Sequence, residues 1–553
     1  MESASSPITE PRQVIIFDTT LRDGDQAGGW FSAEQKLSIA HGLDELGADV
    51  IEAGFPGLPE RQKVDTVAIP MIASAVRRPI ICALSLAKQE SIEAAARSVE
   101  HANRPRIHVY KASSPKHRRH VFHNQSEQEY LDDIARHITM ARQYVDDVEF
   151  SPEDATNTNR DFLLRIGAVA YEAGATTFNV PDTYGIATPD ELRALFAALY
   201  RGIAPVRDGT LTLSTHNHND YGLATINSLY ALLGMGNARK QVEATVNGMG
   251  DRAGNAPLEE VVMTAYYRKE KFPNFHMDHI DENRRKQFAK ISKKVGEESG
   301  QPVSRFKPFV GEGPRSVGTG SHEHARREMG EAYQSGIAHD VGHESLVIEL
   351  TGSSGKATVQ SFAESLGYRI PEDQFRDFAD HVLAFANSKC GSNERRVTPE
   401  EFHALVYRYF GIGMPVDNSG EKQFLHTRKN GYWEMKLTMN VRDEEQKWTG
   451  RSAEGQGVFQ GVVEILREKL GKDFQVVHEW QEQTDSAQGE RSSSTFCVKI
   501  RVGEKEYIGM AEHNDISESS IRALLDAVNK AKLASLLPEQ QSATSVGAPE
   551  RVE

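Results

Sequence analysis

From residue 13 onward the sequence repeats one unit eight times: a short β-branched or apolar run that ends in polar residues, followed by an amphipathic helical pattern. The runs fall at 14–20, 50–54, 79–85, 106–113, 147–154, 176–183, 211–219 and 241–248. Helical stretches such as 32–46, 126–144, 188–200 and 222–233 separate them. Ser32, Ser126 and Thr188 stand where an N-cap is wanted. Parallel strands need such helical crossovers, because each helix returns the chain to the end of the sheet where the next strand starts. Eight units in a segment of about 250 residues predict an α/β fold, a closed (β/α)8 TIM barrel. An open doubly wound sheet is the alternative. It expects a glycine-rich phosphate turn after its first strand, where this chain reads Leu21-Arg22-Asp23-Gly24-Asp25.

Polar residues gather at the C-terminal ends of these runs. Arg22 and Asp23 follow the first and Glu52 closes the second; His108, Ser113 and Ser114 belong to the fourth. Glu149, Glu153 and Asp154 close the fifth, Asp182 and Thr183 the sixth, His216 and His218 the seventh. Asn247 and a glycine-rich turn, 248–255, follow the eighth. A barrel brings all these ends to one rim, where such folds do chemistry. Each residue alone reads as a cap or turn residue; their joint placement is the signal.

The sequence predicts five regions: a flexible N-terminus (1–12), a catalytic barrel (13–275), helical linker or lid subdomains (276–400), a C-terminal α+β regulatory-type domain (415–537) and a disordered tail (538–553). The C-terminal domain is expected because a strand, strand, helix pattern occurs twice there. A purely structural dimerisation module is the alternative reading of that domain.

A net charge of −15 argues against general affinity for nucleic acid or anionic membrane. The basic run 116–119 reads as solvated surface, with a phosphate-bearing ligand as the second reading. Three cysteines, Cys82, Cys390 and Cys497, lie too far apart in sequence for a metal knuckle or a disulfide framework. The first twelve residues hold no apolar signal core, and no apolar run is long enough to span a bilayer. A soluble, cytoplasmic protein is expected.

In a strand, side chains repeat with period two, so His216 and His218 point the same way. Together with Asp23 they offer two imidazoles and a carboxylate, a set suited to Zn2+, Mn2+ or Mg2+. Asn255 can add an amide oxygen. Two hydrogen-bonded histidines in a polar loop are the bland alternative. A 2-oxo acid chelates such a cation through its keto and carboxylate oxygens, and the cation polarises the ketone. Arg22 is placed to stabilise charge growing on that oxygen, and Thr183 to donate to the substrate carboxylate. The arrangement favours making or breaking a carbon–carbon bond beside a carbonyl.

Six segments carry a family resemblance: 17–26 (FDTTLRDGDQ), 52–56 (EAGFP), 147–154 (DVEFSPED), 179–185 (NVPDTYG), 216–222 (HNHNDYG) and 247–255 (NGMGDRAGN). This set resembles the motifs of the 2-isopropylmalate synthases, within the wider group of metal-dependent barrel lyases and Claisen-condensing synthases. Gly320-Ser321-His322 with Tyr333, 350–357 (LTGSSGKA), 454–457 and 509–520 resemble later parts of the same family, so the likeness covers nearly the whole chain.

The resemblance implies an acyltransferase. The enolate of acetyl-CoA attacks the keto carbon of a metal-bound apolar 2-oxo acid, most simply 2-oxoisovalerate, and thioester hydrolysis yields a 2-alkylmalate and CoA, as in leucine biosynthesis. It implies that Asp23, His216 and His218 hold the metal with Asn255 nearby. Arg22 stabilises the oxyanion, Glu153 lies by the acceptor and Thr183 on its carboxylate. His322 and Tyr333 complete the acid–base site from the partner subunit of a homodimer. His108, Ser114 and Leu86 are expected to face the substrate. An amino-acid feedback inhibitor is expected at the C-terminal domain.

Departures bear on the acceptor. Asp25 stands where the family has Glu, and Leu86 where it often has arginine, which disfavours a dicarboxylic acceptor. Gly28, Gly29 and Trp30 can open room, so a bulkier acceptor such as phenylpyruvate, giving benzylmalate, is the runner-up. Gly457-Val458 replaces a family Gly-Pro pair, which bears on amino-acid inhibition. An acyl-CoA lyase or aldolase on the same metal site is the second reaction class. A catalytically dead sensor is the third reading, opposed by the intact Arg22, Asp23, His216 and His218.

Overall fold

A computed structural model of the chain describes residues 13–534, except 27, 30, 59–61, 274, 318–323, 326–336, 344–346, 391–394, 411, 414–423, 430–431, 442–443, 471–473, 484–493 and 514–515. The N-terminus, the tail, Trp30, His322 and Tyr333 therefore lie outside the described residues.

Eight parallel strands close into a barrel in sequence order. They are β1 (Val14–Asp18), β2 (Val50–Gly54), β3 (Ile80–Leu86), β4 (Pro105–Ala112), β5 (Asp147–Glu153), β6 (Thr177–Asp182), β7 (Thr212–Asn217) and β8 (Lys240–Ala244). Closure comes from β8 pairing with β1, Val14 opposite Lys240 and Asp18 opposite Ala244. The strands are buried on both faces, which explains why they read as apolar runs rather than alternating ones. The outward-facing residues pack against the surrounding helices in one large core.

Local signals set the helix starts. Ser32 and Ser126 each form a capping box, with Gln35 and Glu129 three residues on, at the heads of Ala33–Leu46 and Glu127–Arg142. The eighth run is shorter than its apolar pattern suggests. After Ala244 the chain enters a 3-10 turn, Val246–Gly248, in which Asn247 adopts φ +62°. At the rim, two glycines are required. A Cβ on Gly185 (φ +62°) would lie 2.7 Å from the His218 carbonyl oxygen, and one on Gly254 (φ +87°) 2.0 Å from that of Gly248. The first close approach lets the loop after β6 pack against the end of β7, and the second closes the loop after β8 on itself.

Contacts divide the chain into two compact units. The first holds the barrel, helix Phe288–Ser299 and the chain through Ser316, with a short later segment ending at Val347. The second holds two cores of its own. Helices Lys356–Ser365, Glu372–Ser388 and Pro399–Phe410 pack around Phe362, Phe378, Val382 and Phe402. The helical part thus runs on past residue 400.

Beyond it, antiparallel strands Phe424–Lys429, Tyr432–Val441 and Glu444–Arg451 precede helix Val458–Leu470. Strands Gln475–Gln483, Ser494–Val502 and Lys505–His513 precede helix Ile516–Ala534. Leu437, Trp448, Val462 and Leu466 of the first half share one core with Val498, Ile500 and Leu524 of the second. No helix among the described residues is long and apolar enough to cross a membrane.

Candidate metal centre at the barrel rim

After β1 the chain turns back on itself, the N–H groups of Arg22, Asp23 and Gly24 all donating to the Thr19 carbonyl. This turn is pinned from below. The Lys36 ammonium, 1% exposed, donates to the Leu21 carbonyl at 2.7 Å and to Asp65 at 2.6 Å, and lies 3.0 Å from Asp25. Asp65 also accepts the Phe55 N–H at 2.8 Å. Asp25, the departure from the family pattern, is therefore a buried anchor of the loop.

The turn brings Asp23 to the two histidines. Asp23 Oδ2 lies 3.2 Å from His216 Nε2 and 3.8 Å from His218 Nε2. The two Nε2 atoms are 3.3 Å apart, with the rings nearly perpendicular at 81°. All three residues are buried. Three converging ligand atoms at this spacing can hold one cation. The orphaned amide oxygen nearby fits the same group: Asn255 Oδ1 is buried with no hydrogen-bond partner among the described residues, while Asn255 bridges to His218 through the backbone. Carboxylate, imidazole and amide donors suit Zn2+, Mn2+ or Mg2+.

The protonation equilibria are pulled apart. Burial by itself raises Asp23, but Arg22 and the imidazoles outweigh it and hold the carboxyl well below its usual range. Burial lowers His218 to about 4. It opposes His216 too, but hydrogen bonds to Asp23 and Glu243 carry that imidazole up to about 9.

Arg22 spans the site. Nη1 lies 3.0 Å from Asp23 and Nε 2.5 Å from Glu52. Glu52 in turn meets His108 Nδ1 at 2.8 Å, and His108 Nε2 lies 2.6 Å from Ser151. Burial raises Glu52, but Arg22 and His108 outweigh it and bring the carboxyl to about 2. This charged chain fixes the guanidinium at the edge of a cavity of about 170 Å³.

Arg22, Asp23, His108, Glu153, Thr183, His216 and His218 all line that cavity. Burial raises the Glu153 carboxyl above its ordinary pKa. Thr183 Oγ1 accepts the Asp154 N–H at 2.9 Å, which leaves its hydroxyl proton free to donate. Three expected residues are not in the wall. Leu86 sits one layer above Leu84 on the same face of β3, and Leu84 forms the lining instead. Ser114 caps the short helix Pro115–His120 and meets His117 Nδ1 at 2.9 Å. Asn255 pairs with His218 through the backbone.

Phe55, Tyr110, Pro181, Glu243 and Arg252, not expected from the sequence as site residues, also line the wall. Period two along β3, β4 and β8 was the available signal for Leu84, Tyr110 and Glu243. Arg252 held no such signal; it is in the left-handed region (φ +53°) and ties Asp220 to the Thr183 carbonyl at the mouth.

Comparisons with known proteins agree with this geometry. Residues 13–288 match the HMGL-like family model, and residues 396–532 the LeuA allosteric (dimerisation) domain. The chain is 36% identical to the 2-isopropylmalate synthase of Xanthomonas axonopodis pv. citri over 94% of its length and 95% of the relative's. It is 36% identical to that of Xanthomonas oryzae pv. oryzae over 94% of each.

The chain belongs to the 2-isopropylmalate synthase family.

Among solved structures it is similar to the hydroxymethylglutaryl-CoA lyase of Pseudomonas aeruginosa, at 21% identity and a TM-score of 0.42, covering 53% of this chain and 96% of that one. Membership makes the barrel the catalytic part of an acetyl-CoA-condensing enzyme and the C-terminal module an allosteric and dimerisation domain. The match runs over both halves of the chain, which sets it apart from a barrel alone.

Proposed function

We propose that the barrel condenses acetyl-CoA with a small apolar 2-oxo acid, 2-oxoisovalerate first among them, to give a 2-alkylmalate and CoA. The observation that carries the reading is a single cavity. Its wall holds Asp23, His216, His218 and Arg22 together with the apolar bodies of Phe55, Leu84, Tyr110 and Pro181. The charged groups suit an α-keto carboxylate and the apolar ones its alkyl group. The second arginine of the wall, Arg252, is already paired with Asp220 and Asp251, which disfavours a second carboxylate on the acceptor.

Asp23, His216 and His218, with Asn255 beside them, would hold a divalent cation, which when bound supplies Lewis-acid polarisation of the keto group. Thr183 donates its hydroxyl proton to the acceptor carboxylate and fixes its orientation. The Arg22 guanidinium, held by Glu52 and Asp23, faces the oxygen on which negative charge develops and costs no reorganisation as it does so. A methyl proton leaves acetyl-CoA, the resulting carbanion forms the new carbon–carbon bond, and the oxygen anion takes up a proton. Water then cleaves the thioester, releasing CoA. Glu153, half-buried in the same cavity, takes part in the proton transfers. His322 and Tyr333 complete the acid–base set from the partner subunit of a homodimer. The C-terminal domain binds an amino-acid feedback inhibitor.

Thiol release from acetyl-CoA, measured with a thiol reagent against a panel of 2-oxo acids, tests the reading. The expected result is the highest kcat/KM with 2-oxoisovalerate. Release only with phenylpyruvate would move the acceptor to an aromatic one. CoA formed from a hydroxyacyl-CoA without any oxo acid would make the enzyme a lyase.

A further inference from the structure

Glu243 and His216 are register partners on the adjacent strands β8 and β7, and both side chains turn into the barrel. Glu243 Oε2 lies 3.0 Å from His216 Nδ1. The carboxylate is fully buried and faces the Glu149 carboxyl as well as His216. Leaving a carboxylate in such a place is costly unless something nearby uses it. His216 is thus bracketed by two carboxylates, Asp23 at Nε2 and Glu243 at Nδ1. His218 is built differently: among the described residues its one carboxylate neighbour within 4 Å is Asp23, 3.8 Å from Nε2, and none stands behind its Nδ1.

We infer that Glu243 is a positioning residue that sets how tightly the rim holds its cation. An ionised carboxylate can only accept, so it takes the Nδ1–H of His216. A neutral imidazole has one N–H and one lone pair, and the lone pair is then left on Nε2, facing Asp23 and His218. The same contact fixes the ring plane and puts negative charge directly behind the ligand nitrogen, which raises its basicity. His218 has no such backing. The two imidazoles are unequal ligands, with His216 the anchored one. The inference rests on the reading of Asp23, His216 and His218 as the cation's ligands.

The test is a cation titration of the full-length chain. Metal-depleted wild type, E243Q and E243D are titrated with Zn2+ and, separately, Mn2+ in competition with a chromogenic chelator. Glutamine keeps the size of the side chain but not its charge; aspartate keeps the charge but withdraws it from Nδ1. E243Q is expected to raise the cation Kd by roughly 10–100-fold and E243D by several-fold. The melting temperature of the metal-free variants should stay at the wild-type value, whereas a generally loosened fold would lower it. If E243Q does not fold, E243D decides alone. Wild-type affinity in the folded variants would overturn the role of Glu243 and leave the ligand set standing. Failure of wild type to bind either ion stoichiometrically would overturn the ligand set, and Glu243 with it.

Discussion

Leu84 and Leu86 share the inner face of β3, and it is Leu84, one layer deeper, that lines the cavity. The acceptor's alkyl group therefore meets Leu84 together with Phe55 and Tyr110, whose rings pack edge to face at 5.9 Å. Leu84→Ala is expected to lower kcat/KM for 2-oxoisovalerate by about 10-fold, the scale on which hydrophobic pockets discriminate small groups, and to favour longer acceptors by comparison. Leu86→Ala should leave the acceptor ranking unchanged. Steady-state kinetics over the 2-oxo acid panel check both. An inverted pattern would place Leu86 in the wall after all.

Thr183 has its acceptor capacity partly used by the Asp154 N–H and its proton unused. Thr183→Val keeps the shape and removes the donor. A hydrogen bond to a charged group contributes about 1.5–3 kcal/mol, so KM for the 2-oxo acid should rise roughly 10–100-fold. KM for acetyl-CoA should not follow. A rise in both would mean that the rim loop had shifted rather than that one donor was lost.

His218→Ala removes one of three converging ligands. Bound metal, measured by elemental analysis of the purified enzyme, and turnover should fall together, the latter by at least ~100-fold. Full activity in a preparation without stoichiometric metal would sink the assignment.

Much of this was legible because a barrel translates sequence position into spatial position. Polar residues at strand ends must meet at one rim, and Arg22, Asp23, His108, Glu153, Thr183, His216 and His218 do line one cavity there. Residues deeper in the strands were not legible in this way. Leu84 and Glu243 sit inside runs that are buried on both faces, and Tyr110 in a half-buried stretch of β4. There hydropathy does not separate the barrel interior from the helix-facing side, and only period two counted from a rim residue does. Asp25 shows the converse. It stands within a rim motif, yet Lys36, eleven residues on, draws it into a buried ion pair. No local pattern reveals a partner on the next helix.

Lys240 opens β8 and is 3% exposed, with the Phe275 ring 5.5 Å from its ammonium. Burial pushes its pKa down to about 8. The unfolded chain holds that proton up to about 10.4. Between these values the unfolded state binds more protons than the folded one, so stability rises with pH across the window. Below pH 8 the buried charge carries its full cost. Lys240→Met keeps the length of the side chain and removes that cost. It should stabilise the enzyme by about 1–3 kcal/mol at pH 7, and the gain should fade as the pH approaches 10. Thermal melts of wild type and variant at pH 7, 8.5 and 10 check the trend. A difference that stays constant with pH would show that the variant acts by packing, because only the ammonium's titration makes the two curves converge.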